Sequence, residues 1–358
     1  MDDRASTRPT LAAVAARAGV SVSTASLVFS GRGPVSEAMR ERVQAAAAEL
    51  DYAGPDPTAR SLRRGSTGVI GVVTEDSLAD TFRDPMNLAL LDGIGDGLGD
   101  ERLGLLVIPR VSTYPNRDAG IDLAAAPIDA AILLGCSTDV APSVAALRRR
   151  RVPVVAIEAM PMDDVVAIDL DNRDASRRGA EHLRGLGHRR VAVITLPLDS
   201  ARTRGEVTPA RLAASAAHTT IERLAGVREV LPDAVAYSAS GSSVDEGARL
   251  ARELLDVPAS GRPTAIVAQS DLLAVGVIRA AEQLGLEVPR DVSVLGFDGV
   301  RLEGAIEGIL TTLVQPAVEK GRLAAAAVLS ALAERGDAPA SLHSELRIGT
   351  TTGPAPAS

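Results

Sequence analysis

Apolar residues in the first fifty positions recur with a helical period, in short runs each closed by a capping or breaking residue. Leu11, Val14, Ala15 and Ala18 fall at i, i+3, i+4 and i+7 behind Thr10, whose side chain suits an N-cap. Gly19 suits the left-handed turn that ends such a helix. Ser21 opens a second helix two residues later. Its Ala25, Val28 and Phe29 face inward, which turns Ser23, Leu27 and Ser30 outward and leaves Thr24 and Ser26 on the flanks. Ser36 caps a third helix, whose Met39, Val43, Ala46, Ala47 and Leu50 close a small core. Two helices joined by so tight a glycine-containing turn predict a helix-turn-helix.

A fourth helical segment is predicted over residues 56–65. Asp56 can cap it, Pro57 suits its first position, Ala59 and Leu62 share a side, and Gly65 stops it. About eight residues do not hold a helix in water, where isolated helices below ~12–15 residues are marginal. This one needs a partner to form.

From Gly68 the pattern changes to apolar runs separated by helix-length stretches. VIGVV (69–73), LGLLVIP (103–109), AAILLG (130–135) and PVVAI (153–157) make one set. RVAVIT (190–195), AVAY (234–237), TAIVA (264–268) and VSVLGF (292–297) make a second. Continuous β-branched runs of this kind predict parallel strands buried on both faces, and two sets predict two α/β lobes with a cleft between them. Ligands of open parallel sheets bind beyond the carboxyl ends of the strands. Residues 336–358, rich in Pro, Ala and Ser near the end, read as a frayed tail.

Composition narrows the class. The 358 residues suffice for two or three domains. There is no apolar run of 18 or more residues and no apolar stretch near the start, so neither a membrane span nor a signal peptide is expected and the reading is cytoplasmic. The net charge of −8 divides unevenly. Residues 1–65 hold nine arginines against seven acids, the remainder 29 basic against 39 acidic residues, so any attraction for DNA is local to the head and salt-dependent. The single cysteine, Cys136, reads as a buried small hydrophobe. Lys320 is the only lysine.

The run T-L-x-x-V-A-x-x-A-G-V-S-x-x-T-x-S from Thr10, the later G-x-G-P-V-S and the segment PDPTARSL resemble the lactose-repressor (LacI/GalR) family of bacterial transcriptional regulators. DLDN (169–172), EHLRGLGHRRVAVI (181–194), ERLAGVRE (222–229) and VPRDVSVLGFDG (288–299) extend the resemblance to about residue 335. It implies a helix-turn-helix head over 1–55, a hinge helix over 56–65, and a two-lobed periplasmic-binding-protein-like domain of parallel sheets over 66–335 that binds an effector and dimerises. It assigns base-edge contacts in the major groove to Val22, Ser23 and Leu27, and phosphate contacts to Thr10, Thr24 and Ser26. Leu27 departs from the basic or imidazole side chain of many relatives and offers only apolar contact, for example to a thymine methyl, so the operator preference should differ from theirs. At the hinge the resemblance makes Leu62 a wedge in the minor groove, with Arg60, Arg63 and Arg64 beside it to meet phosphates.

For the effector the resemblance points to Asp298 in GFDG and Arg223 in ERLAGVRE, whose planar fork suits hydroxyls or a carboxylate. Ser270 stands where most relatives have asparagine, before a retained Asp271, and Asp174 and Phe82 are further candidates. Capping for Asp298 and a surface ion pair for Arg223 are the competing readings. With only six aromatic residues and no tryptophan, an aromatic platform for a sugar is scarce. Residues 198–219 look longer than their family counterpart and read either as a partly helical flap at the cleft mouth or as a surface insertion.

Enzyme chemistry finds little support. DGIGDGLGD (92–100) and GSS (241–243) lack the strand-to-helix placement of a phosphate loop, and neither G-x-x-x-x-G-K-[ST] nor G-x-S-x-G occurs. His182, His188, His218 and His343 are scattered without metal-ligand spacing, and His188 reads as structural. No cofactor or metal is expected. The sequence therefore predicts a regulator, most often a repressor in this family, that acts as a homodimer on a palindromic double-stranded operator under a small-molecule effector, a sugar or related metabolite. A regulator without small-molecule response and a solute-binding sensor stand as alternatives.

Overall fold

The computed structural model describes residues 9–30, 33–54, 65–99, 101–109, 123–134, 141–302, 304–336 and 340–356. They fall into two units, Met1–Gly68 and Val69–Ser358.

In the first unit α1 spans Leu11–Ala18, α2 Val22–Ser30 and α3 Glu37–Glu49. The Ala13 N–H donates to Thr10 Oγ1 at 3.2 Å, and Gly19 takes φ 64° to close α1. The Thr24 N–H donates to Ser21 Oγ at 3.1 Å, which starts α2. Ser36 occupies the cap position of α3 but makes no side-chain cap bond, contrary to the sequence reading. Glu37 in the first turn of α3 supplies a favourable charge at the positive end of the helix instead. The chain bends by 106° between α1 and α2, within the roughly 90–120° of a helix-turn-helix. Val14, Ala15, Ala25, Val28, Val43, Ala46 and Ala47 form the core, with Leu11, Phe29 and Leu50 against it. Phe29 and Tyr52 close one side edge to face, 5.4 Å between centroids. The hinge candidates Arg60, Leu62 and Arg63, with Arg64 and also Cys136, lie outside the described residues.

The described residues of the second unit form two sheets. The first runs in order β12-β5-β4-β3-β1-β2, with β1 Val69–Thr74, β2 Gly104–Pro109, β3 Ala130–Leu134, β4 Val154–Ile157, β5 Val165–Leu170 and β12 Ala340–Leu342. The second runs β13-β11-β10-β9-β6-β8-β7, with β6 Val191–Thr195, β7 Gly205–Glu206, β8 Val235–Ser238, β9 Ala265–Ala268, β10 Ser293–Asp298, β11 Thr311–Val314 and β13 Glu345–Arg347. Pairing is parallel except where β7 meets β8 and β13 meets β11. The apolar runs read from sequence all become strands of these sheets, and β1, β3, β4, β6, β9 and β10 are buried almost throughout. The two parallel sheets establish the α/β class.

Helices cover the faces. After the short helix α4 (Leu78–Thr81), helices α5 (Pro85–Leu98) and α12 (Ala317–Leu332) pack together on one face of the first sheet, with α6 (Ala141–Arg149) on the other. The second sheet lies between the pair α7 (Asn172–Gly185) and α9 (His218–Val230) and the pair α10 (Val244–Leu255) and α11 (Asp271–Gln283). Helices α5 and α12 approach through Gly93 and Gly321, and a Cβ at Gly93 would overlap the Val318 carbonyl oxygen. Gly93→Ala should therefore destabilise the body by about 1–3 kcal/mol, the cost of overpacking a core. A lower urea midpoint at unchanged slope would show it, and an unchanged midpoint would refute it.

Among the described residues the chain passes between the lobes three times, after β5, after β11 and after β12. Asp171 ties two of these passages together. Its Oδ1 accepts from Ser344 N–H at 2.7 Å, its N–H donates to Leu342 O at 3.0 Å, and Arg178 donates to both Asp171 Oδ2 and Ser344 O. This overturns the frayed-tail reading of residues 336–358. Residues 340–347 supply a strand to each sheet, Thr351 is buried, and Thr351 Oγ1 both accepts from Thr311 N–H and donates to Val294 O. Strands of three residues are too short to carry a periodic apolar signal, so composition misled. No single described helix is long and apolar enough to cross a membrane.

Candidate functional site

The head presents α2 outward. Val22 is 50 % and Leu27 40 % exposed, with Ser23 on the same face and Thr24 and Ser26 half-buried on its flank. Ser21 Oγ lies 2.8 Å from both Ser23 Oγ and Thr24 Oγ1, so three hydroxyls at the start of α2 form one set. Thr10 is exposed at the start of α1, its oxygen accepting the cap bond while its O–H stays able to donate. Such a face offers hydroxyl donors and acceptors beside two apolar contacts, a composition suited to phosphates and base edges.

In the body a cavity of about 120 Å³ lies between the lobes. At its centre Arg223, on α9, is 3 % exposed. Its Nε donates to Asn172 Oδ1 at 2.7 Å and its Nη1 to the Gln269 carbonyl at 2.6 Å, and its guanidinium stacks 3.6 Å from the centroid of the Phe297 ring. Glu158 and Asp298 lie 3.6 and 3.7 Å from its nitrogens. Lys320, fully buried on α12, donates to both Glu158 and Gln315. Gln315 Nε2 donates to Asp298 Oδ1 at 2.6 Å, and Asn172 Nδ2 to Glu158 Oε2 at 2.7 Å. The result is a closed ring, Arg223–Asp298–Gln315–Lys320–Glu158–Asn172, with members from both lobes.

Charge follows from this geometry. Burial by itself would raise the Glu158 carboxyl, but the charges of Lys320 and Arg223 and the hydrogen bonds of Lys320 and Asn172 outweigh it and hold the group at about 2. Asp271 and Asp298 are both pushed up, first by burial, and for Asp271 next by the charge of Asp298. Asp84, which caps α5 through the Met86 N–H, is raised to about 7 by burial and then by Asp298. Asp298 itself holds φ 122°, backbone that a non-glycine residue rarely adopts and that clusters at functional sites.

Of the effector candidates, Arg223, Ser270 and Asp298 line this cavity together. Ser270 caps α11 by accepting from Leu273 N–H and receives the Ser242 hydroxyl at 2.9 Å. The other three sit elsewhere. Asp271 is buried behind the wall, accepting from Thr312 Oγ1 at 2.5 Å and Val300 N–H at 2.9 Å. Asp174 pairs with Arg177 and Arg178 on the outer surface of α7, because the helix turns it away from the cleft. Asn172, two residues earlier in DLDN, is the one that reaches the ring. Phe82 is half-exposed and lines an outer groove with Leu88 and Val300. Sequence reasoning missed Asp84, Glu158, Asn172, Gln315 and Lys320. A lone lysine in an arginine-rich chain was the one available signal. No group of three or more potential metal-ligating side chains occurs among the described residues.

Comparison with known proteins agrees with both parts. Residues 10–54 match the bacterial regulatory proteins of the lacI family, and residues 180–352 match the periplasmic binding protein-like domain. An HTH-type transcriptional regulator of Mycolicibacterium smegmatis is 33% identical over 334 residues, 88% of this chain and 89% of the relative. A LacI-family regulator from Corynebacterium glutamicum superposes with a TM-score of 0.70 at 26% identity, covering 95% of this chain and 98% of that one. The transcriptional regulator CelR in complex with cellobiose superposes with a TM-score of 0.65 at 27% identity, covering 96% and 100%. The head, the two-lobed body and these relatives together establish that the chain belongs to the LacI family of bacterial regulatory proteins and is a DNA-binding transcriptional regulator under effector control.

Proposed function

We propose that the protein is a cytoplasmic homodimeric repressor, without catalytic activity, that reads a palindromic operator and changes its hold on DNA when a small polyhydroxylic metabolite, a sugar or a close relative, enters the cleft. The observation that carries this reading is one chain joining an exposed helix-turn-helix face to an interlobe cavity walled by hydrogen-bonding side chains. Val22, Ser23 and Leu27 take base edges, Thr10, Thr24 and Ser26 take phosphates, and the hinge residues Arg60, Leu62 and Arg63 engage the minor groove. A single small head binds weakly, whereas two heads joined through their bodies engage both half-sites at once. In the cleft, Asp298, Ser270 and Arg223 hold the effector's hydroxyls. The likeness to a cellobiose-bound regulator supports a sugar-like ligand. The cavity of about 120 Å³ is small beside ligand pockets of roughly 300–1,000 Å³, so ligand entry requires the lobes to part. That motion is the element through which effector and operator alter each other's affinity reciprocally.

Selection from a random duplex pool at two salt concentrations tests the reading. An inverted repeat is the expected product, retained less well at the higher salt. Absence of any enriched sequence, with and without added cell extract, would overturn it. With the operator in hand, a panel of mono- and disaccharides is titrated with and without DNA, and a sugar bound equally in both conditions would refute the allosteric coupling.

A further inference from the structure

Residues 198–219 are partly helical, as the first of the two sequence readings has it. They extend the second sheet by the edge strand β7 and continue into a short helix, α8 (Pro209–Ala213). The segment is braced by its own side chains. Asp199 Oδ1 accepts from both the N–H and the hydroxyl of Thr203, and Arg211 donates to the carbonyls of Thr203, Gly205 and Glu206. Arg204 forks onto Glu246 within the same lobe.

Arg202 differs from these arginines in its target. Its Nη2 donates to Asp76 Oδ1 at 2.6 Å and to the Glu75 carbonyl at 3.1 Å, both just beyond the carboxyl end of β1 in the opposite lobe. Nη1 reaches the Ser240 carbonyl in its own lobe at 3.4 Å. Asp76 and Gly241 line the cavity, and a Cβ at Gly241 would sit 3.5 Å from Nη1, so the guanidinium lies across the rim of the cleft. Its position is built, since Arg202 takes φ 55° at the corner of the braced segment. The contact is also incomplete. Arg202 Nε is buried without a hydrogen-bond partner, and an unpaired buried donor offsets part of what the other bonds contribute. An interlobe bond that holds but leaves a donor unsatisfied is suited to being broken in the working cycle.

We propose that residues 199–206 form a strap across the mouth of the cleft and that Arg202 is its latch, which holds the lobes together on Asp76 and whose release admits the effector. The inference rests on the reading of this cavity as the effector site. Its structural content can be tested with neither DNA nor effector, so failure of the operator selection and failure of the latch are distinguishable.

The experiment measures interlobe distances by electron–electron double resonance in the full-length protein. Spin labels are placed at Asp164 and Arg290, exposed positions on opposite lobes, in a Cys136→Ser background. Arg202→Ala and Asp76→Asn should each shift the distance distribution to longer values. The double variant should shift no further than either single one, as a shared contact requires. Arg204→Ala, which removes an arginine of the same strap bonded within its own lobe, should leave the distribution in place. Raising the salt should move the native protein toward the variants, because the Arg202–Asp76 pair is partly exposed. An unchanged distribution in both Arg202→Ala and Asp76→Asn would overturn the latch. So would a shift in Arg204→Ala as large as that in Arg202→Ala, which would assign the effect to folding of the segment. If Arg202→Ala does not fold, Asp76→Asn carries the same test from the other lobe.

Discussion

Replacing Lys320 by alanine is expected to destabilise the body by roughly 3–5 kcal/mol, the loss measured when one member of a buried ion pair is removed. Lys320 is fully buried, and it is a lysine that faces Glu158 across the ring. Without it the Glu158 carboxylate keeps, among the described residues, only Arg223 as a nearby opposite charge, at 3.6 Å, in a site that burial makes hostile to charge. Urea unfolding followed by far-ultraviolet circular dichroism reads the change as a lower midpoint. The companion variant Lys320→Met with Glu158→Gln should recover most of the loss, since two neutral partners leave no uncompensated charge. Equal loss in the single and double variants would show that packing, not charge, holds this part of the ring. The pH dependence has a defined sign. Glu158 is held at about 2 in the folded protein against an ordinary 4.5. Its contribution is present above pH 4.5 and is lost as pH falls toward 2.

The second large effect has the opposite sign and arises a few ångströms away. Asp271 and Asp298 are raised by burial, and Asp271 further by its neighbour's charge. The folded protein thus binds protons at this pair more tightly than the unfolded chain does. Stability from the pair is greatest below the ordinary value of 3.8 and declines as pH rises through the raised values. Unfolding at pH 8 should require less free energy than at pH 5, because each pH unit over which one extra proton is held contributes about 1.4 kcal/mol. Asp271→Asn should flatten that slope. It sacrifices a hydrogen bond with Thr312 or Val300, so the slope and not the absolute stability is the quantity to compare. A slope unchanged by Asp271→Asn would place the excess protons on another group, of which Asp84 is the leading one.

Together these two effects define a stability maximum. It is bounded on the acid side by protonation of Glu158 and on the alkaline side by ionisation of the Asp271–Asp298 pair. Burial pushes all three carboxyls up, and at Glu158 the facing cations outweigh it. What differs is whether a cation faces the carboxylate. Among the described residues Glu158 faces two, Asp298 shares Arg223, and Asp271 meets only hydroxyl and amide donors.

Much of the molecule could be read along the chain because the signals concerned are short-ranged. A cap at Thr10, a left-handed glycine at 19 and apolar residues one helical turn apart determine α1 with no help from residues far away, and α2 and α3 follow in the same way. The buried strands were legible for a similar reason, since a strand covered on both faces must be apolar throughout. Arg223 and Asp298 were legible only through resemblance, as each sits in a motif but neither has a pattern of its own. Asp174 and Phe82 were misplaced because loop register and the rotation of α7 are set by packing. Strands β12 and β13 were invisible, because three residues are too few to carry a period and become a strand only when a neighbouring edge offers its hydrogen bonds.

The helix-turn-helix head, the two sets of parallel strands and the division of charge between head and body are thus written along the chain, each a matter of periodicity or composition. Which polar side chains meet is set by the packing of distant segments. Residues 158, 172, 223, 298, 315 and 320 close one ring, and Arg202 reaches Asp76 across 126 positions of chain. A buried polar group needs a partner but does not specify where in the sequence that partner lies. The crossing of the chain between two lobes brings them together, and no local pattern records it.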